Sequence, residues 1–148
     1  KRTWLDRLDH AASTWREIAS AALAGDPTRS GATGEDGSDW TFADVSAHLN
    51  GWRARSVARL EAAVRGESPP PPPWPAGLSD ETEEGVEAIN RWFYDRNRGR
   101  PLPELLAEAD DQFRRMRTSV EVIAAPAPAL GTAAKTVAEK MEFVPGKK

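Results

Sequence analysis

Cysteine is absent from this chain of 148 residues. Disulfides, thiolate nucleophiles, cysteine-ligated zinc and iron–sulfur clusters are therefore excluded, and cysteine usage says nothing about redox compartment. Histidine is scarce: His10 and His48 are the only two, so a site needing three or more imidazoles cannot be built. No long apolar run exists either. The longest uncharged stretch, residues 122–134, contains two prolines, and a membrane-spanning helix needs about 20 consecutive apolar residues. A basic excess is also missing, with 20 Lys and Arg against 23 Asp and Glu and a net charge of -3. Nucleic-acid-binding domains usually carry the opposite balance, so neither nucleic acid nor membrane is expected as a partner. No charged-then-apolar leader pattern opens the sequence, and a cytoplasmic location is the expectation.

What is present is a mixed, soluble composition, 39% hydrophobic and 29% charged, in a length that suits one domain with a single core. The apolar spacing is helical throughout. In residues 2–24, Trp4, Leu8, Ala11, Trp15, Ile18 and Ala22 recur every three or four positions and define one face. Gly25-Asp26-Pro27 stops that helix, and residues 26–39 form a long polar loop. A second helix starts at Trp40-Thr41-Phe42-Ala43-Asp44-Val45, with Thr41 as N-cap, Asp44 closing a capping box, and Trp40 and Val45 as a hydrophobic staple. Its stripe runs through Val45, Leu49, Trp52, Ser56, Leu60 and Ala63, and Gly66 ends it.

Residues 67–78 hold five consecutive prolines, Pro69 to Pro73, followed by Trp74 and Pro75. Such a segment reads as a stiff polyproline II crossover, or else as a docking motif for a proline-binding partner. A third helix is expected over residues 80–98, capped by Asp80 or Ser79, with Val86, Ile89, Asn90 and Phe93 inward. A fourth begins near Pro103 and carries the longest stripe: Leu102, Leu105, Leu106, Ala109, Phe113, Met116, Val120 and Ile123. A last helix is expected over residues 131–144. Four or five amphipathic helices without strand alternation predict an all-α helical bundle in a single domain over residues 1–148, with a long first loop and a proline-rich crossover.

Few residues carry chemistry. His48 borders the inner stripe of the second helix one turn after Asp44, so it reads either as a packed core histidine or as a general base or metal ligand oriented by that carboxylate. Tyr94 can donate a proton. The spacing of acidic residues supplies no second and third ligand beside His48, so no tightly bound metal and no cofactor is expected. Arg114, Arg115 and Arg117 read as solvated or paired to neighbouring acids. Six tryptophans either close the core or wall a pocket for an apolar or planar ligand. The pocket reading assigns Trp40, Trp52 and Trp92 as walls, Asn90 as a polar contact, and His48, Asp44 and Tyr94 as its chemical groups.

The pattern Trp40-Thr41-x-x-Asp44-Val45-x-x-His48-Leu49-x-x-Trp52 resembles the signature of DinB-like four-helix bundles. Residues 89–98, followed by Arg100-Pro101-Leu102-Pro103-Glu104-Leu105, resemble the ClbS/DfsB branch of that superfamily. The resemblance implies an up-up-down-down bundle. In metal-binding members, one histidine of the second helix joins a His-x-x-x-His pair of the last. His48 matches the first, whereas residues 131–144 contain no histidine. The ClbS/DfsB branch is associated with protection against a DNA-damaging small molecule. The resemblance therefore implies a small-molecule-binding bundle acting in resistance or detoxification without metal, with a homodimer as a further expectation. The alternatives are a non-catalytic protein-interaction bundle, and a metal-dependent thiol transferase whose remaining ligands lie in C-terminal sequence beyond that given.

Overall fold

The computed structural model describes residues 3–25, 30–31 and 40–125. Among the described residues, four helices make the fold: α1 (Trp4–Ala24), α2 (Phe42–Val64), α3 (Glu83–Asn97) and α4 (Leu102–Ala124). The other regular structure among the described residues is a two-residue antiparallel ladder, β1 (Ser30–Gly31) with β2 (Trp40–Thr41). Helices therefore dominate as the spacing predicts, with one small clip added just before α2. The helix expected over residues 131–144 lies outside the described residues.

Side chains one turn apart start the helices. Thr41 accepts from the Asp44 amide at 3.1 Å, and the Asp44 carboxylate accepts from the Thr41 amide at 2.9 Å. Thr3 and Asp6 repeat the same reciprocal box at the start of α1. Each box satisfies two backbone amides that a helix start otherwise leaves without partners. The third start falls later than the sequence suggests. Thr82, not Ser79 or Asp80, caps α3 by accepting from the Gly85 amide at 3.0 Å. Ser79 instead accepts from the Glu81 amide, and Asp80 pairs with Arg55 of α2. The turn before α3 folds so close to Gly85 that a Cβ there would lie 1.7 Å from the Ser79 carbonyl oxygen. At the far ends, Gly66 after α2 and Gly99 after α3 take φ of 70° and 80°, the left-handed region that glycine enters without steric cost.

Contacts along the helices fix their directions. On α2, Asn50, Arg53 and Glu61 meet Leu105, Gln112 and Arg115 of α4 in that order, so α2 and α4 run parallel. On α1, Asp9 meets Arg117 and Arg16 meets Asp110, so α1 runs antiparallel to α4. Trp52 meets Asn90 while Arg55 meets Asp80, so α3 runs antiparallel to α2. The order is up-down-up-down, which corrects the up-up-down-down arrangement expected from the resemblance. The proline segment supplies the reason. Trp74 is 5% exposed and packs against Trp52, part-way back along α2. A polyproline II rod advances about 3.1 Å per residue and a helix about 1.5 Å. The short rod thus suffices to retrace half of α2, and α3 continues in the same direction.

The buried stripes are rotated from those expected of the sequence. In α1, Ala12, Trp15 and Ala19 are buried, whereas Ala11 is exposed and Ile18 is 48% exposed. Small alanines face the partner helices and let α1 approach closely, turning Ile18 outward. In α2, Leu49 and Ser56 lie outward, and Ser46, Ala47, Asn50 and Val57 are buried in their place. The α4 stripe stands as expected, with Gln112 and Ser119 added to the buried set. Two apolar clusters result. Leu60, Val120 and Ile123 join Trp4, Leu5, Leu8, Val64 and Met116 at one end. Trp74, Ile89 and Phe93 join Trp52, Trp92 and Leu78 on the α3 side.

Candidate functional site

The residues singled out in the sequence separate into two groups. The first lies where α2 begins. Trp40 stacks on Tyr94 at 5.4 Å between ring centroids and meets His48 edge-on at 5.6 Å. His48 is half-buried with its Nδ1 atom inside, and Arg98 lies over the outer side of this group, 5.8 Å from the Tyr94 ring. Asp44 belongs to the same turn, and its carboxylate serves the Thr41 amide. The second group surrounds Phe93. The Trp52 indole donates to Asn90 Oδ1 at 2.8 Å, and the Trp52, Trp74 and Trp92 rings all pack on Phe93. This group is mainly a filled aromatic core.

Between α2 and α4 lies a polar network that the apolar stripes did not reveal. Asn50, only 2% exposed, donates to the Leu105 carbonyl at 2.8 Å and to Glu108 at 2.9 Å. Gln112 donates to the Asn50 carbonyl at 2.9 Å. The Arg53 guanidinium donates to both amide side chains, at 2.9 Å to Asn50 and 3.0 Å to Gln112. It also lies 4.5 Å over the Phe113 ring. No carboxylate among the described residues pairs with Arg53, and burial pushes its pKa down from the usual guanidinium value. Arginine nevertheless stays charged, so two amide oxygens and an aromatic face must hold a cation inside the bundle.

Beside this network, a cleft of about 330 Å³ opens between α2, α3 and the start of α4. Its floor is small, Ala47 and Gly51 of α2, with the exposed Ala54 at its rim. Gly51 has a specific reason to be glycine, because a Cβ there would lie 2.6 Å from the Phe93 ring. Phe93 and Trp92 form one wall and Pro73 closes an edge. Asn50 and Gln112 face it from the core, while Arg96, Asn97, Arg100 and Glu108 line the mouth. Arg100 bridges Asn97 at 2.8 Å and Glu108 at 3.3 Å, and its Nε donates to Glu104 at 2.9 Å. Burial opposes its charge, but the bonds from Glu104 and Glu108 outweigh that, and its pKa is raised.

Of the seven residues proposed from sequence, Trp92 lines this cleft; His48, Asp44, Tyr94, Trp40, Trp52 and Asn90 do not. The missed residues had one available signal. Asn50 and Arg53 stand three apart on α2, Gln112 follows Ala109 by three on the α4 stripe, and a polar residue on a core face signals a buried network. No group of three or more His, Asp and Glu among the described residues is placed to hold a metal ion. No helix among them is long and apolar enough to cross a membrane. No family model, curated protein or solved structure matches this chain.

Proposed function

We propose that this protein binds a small, partly aromatic molecule in the cleft between α2, α3 and α4. The observation that carries the reading is the cleft itself: about 330 Å³, floored by small residues, walled by Trp92 and Phe93, and edged by fixed amide and guanidinium groups. A few positioned polar groups around an apolar wall are what recognition of a small ligand needs, and the volume lies at the lower end of the usual range. The pre-formed network holds Asn50, Gln112 and Arg100 before any ligand arrives, which limits the ordering cost of binding. The DinB-like resemblance at residues 40–52 extends the reading to resistance or detoxification by sequestering or altering a compound. His48 and Tyr94, beside Trp40, are the groups that such chemistry would draw on if the occupant reaches the start of α2.

A second reading has one observation in its favour. Pro69 to Pro73 are all exposed, and an exposed proline rod suits aromatic-grooved proline-binding modules. The two readings separate in one experiment. A library of aromatic fragments is screened by nuclear magnetic resonance against the wild type and Ala54→Trp, which fills the cleft from its exposed rim. The cleft reading expects shifts at the Trp92 indole and the Asn97 and Gln112 amides in the wild type only. Fragments that leave those signals in place, or that bind Ala54→Trp equally well, sink it.

A further inference from the structure

We infer that the molecule held in this cleft carries a carboxylate beside its aromatic ring, an inference that rests on the small-molecule reading above. The argument is a count of hydrogen-bonding capacity. Glu108 is the one carboxylate lining the cleft, and both of its oxygens already accept bonds: Oε1 from Asn50 at 2.9 Å, and Oε2 from Arg100 at 3.3 Å. Both amide hydrogens of Asn50 are used, on the Leu105 carbonyl and on Glu108, and its Oδ1 accepts from Arg53. Arg100 is spent on Asn97, Glu104 and Glu108.

Unused donors remain around the cleft. Asn97 uses one amide hydrogen on the Phe93 carbonyl at 2.7 Å and keeps the other. Gln112 uses one on the Asn50 carbonyl and keeps the other. Arg96 makes no hydrogen bond or ion pair with any described residue, which leaves its guanidinium N–H groups available. It lies over the Trp92 ring instead, 4.9 Å from the centroid. The lining charges are Arg96 and Arg100 against Glu108 alone, one positive charge in excess.

A neutral aromatic ring placed against Trp92 and Phe93 would displace water from these donors and return no acceptor. A carboxylate returns two oxygens with about four acceptor sites, and a guanidinium grips it through two parallel bonds. Trp92 holds the Arg96 fork at the mouth, so the ring of the ligand would enter and its carboxylate would stay at the rim. Charge-assisted bonds are roughly twice as strong as neutral ones. The acid should therefore be preferred over its own amide.

The test is calorimetric titration of the full chain with naphthalene-2-carboxylate and with naphthalene-2-carboxamide, which share a ring and differ in charge. The expected result is about tenfold tighter binding of the carboxylate, weakening with added salt. In Arg96→Gln the two compounds should bind alike. Arg96→Lys, which keeps the charge but not the fork, should retain part of the preference. Circular dichroism confirms that both variants keep their helices. Equal binding of acid and amide by the wild type, or a full preference surviving in Arg96→Gln, overturns the inference while leaving the cleft as a small-molecule site. Binding of neither compound overturns both.

Discussion

Two positions on α2 show how a single atom decides stability in this bundle. Ser46 is fully buried, and its hydroxyl has no hydrogen-bond partner among the described residues. A buried hydroxyl without a partner loses its hydration for nothing, and serine is also a poorer helix former than alanine. Ser46→Ala should therefore stabilise the protein by roughly 0.5 to 1 kcal/mol, read as a higher urea midpoint; a lower midpoint would mean that the hydroxyl has a partner after all. Gly51 is the opposite case. Alanine gains about 1 kcal/mol of helix propensity over glycine, but the new Cβ would sit 2.6 Å from Phe93. That ring is 4% exposed and packed by Trp52, Trp74 and Trp92, so to escape it must swing into the cleft and give up those contacts. Overpacking costs about 1 to 3 kcal/mol. Gly51→Ala should thus lower stability on balance and change the near-ultraviolet dichroism of the aromatic cluster. A stabilised Gly51→Ala would show that Phe93 can swing away.

At the scale of the element, the starts of the helices are more legible in the sequence than their faces. Thr41-x-x-Asp44 is readable directly, because a capping box needs only two residues at fixed spacing. The same signal stands at Thr3-x-x-Asp6 and forms the same reciprocal bonds. Faces are harder, since in an alanine-rich helix a stripe through Ala11 and Ile18 scores as well as one through Ala12 and Ala19. The partner helix chooses between them by close approach, and that information is not local. The cleft is hard to foresee for a related reason: a search for histidine, tyrosine and tryptophan overlooks asparagine, glutamine and arginine that hold each other across a helix pair. The two boxes also differ in what they protect. Thr41→Ala orphans an amide at a part-buried helix start, and should cost about 1 kcal/mol. Thr3→Ala removes an exposed bond, where water can take over the freed amide, and should cost less. Denaturation curves that rank Thr3→Ala as the more damaging would contradict this ordering.

For the whole molecule, the parallel pair α2 and α4 is the axis on which α1 and α3 are mounted, and two kinds of contact hold it. Apolar packing of Leu60 against Val120 and Ile123 is buried and insensitive to pH. The Glu61–Arg115 pair above it is titratable, with both guanidinium nitrogens on the carboxylate at 2.9 and 2.6 Å. The bond from Arg115 holds the Glu61 carboxyl below its ordinary pKa, against a smaller opposing effect of burial. A carboxyl depressed by folding contributes stability that is present above its unfolded value and is lost as pH falls through its folded value. The contribution should therefore stand at pH 7 and vanish as the solution becomes more acidic than the carboxylate range. Its size is small, because the Arg115 side chain is 46% exposed and solvent-screened pairs contribute up to about 1 kcal/mol. Glu61→Gln should lower the urea midpoint slightly at pH 7 and by less at pH 3, so that the two stability profiles converge on acidification. An equal gap at both pH values would show that Glu61 supports the α2–α4 pair through packing of its stem rather than through its charge.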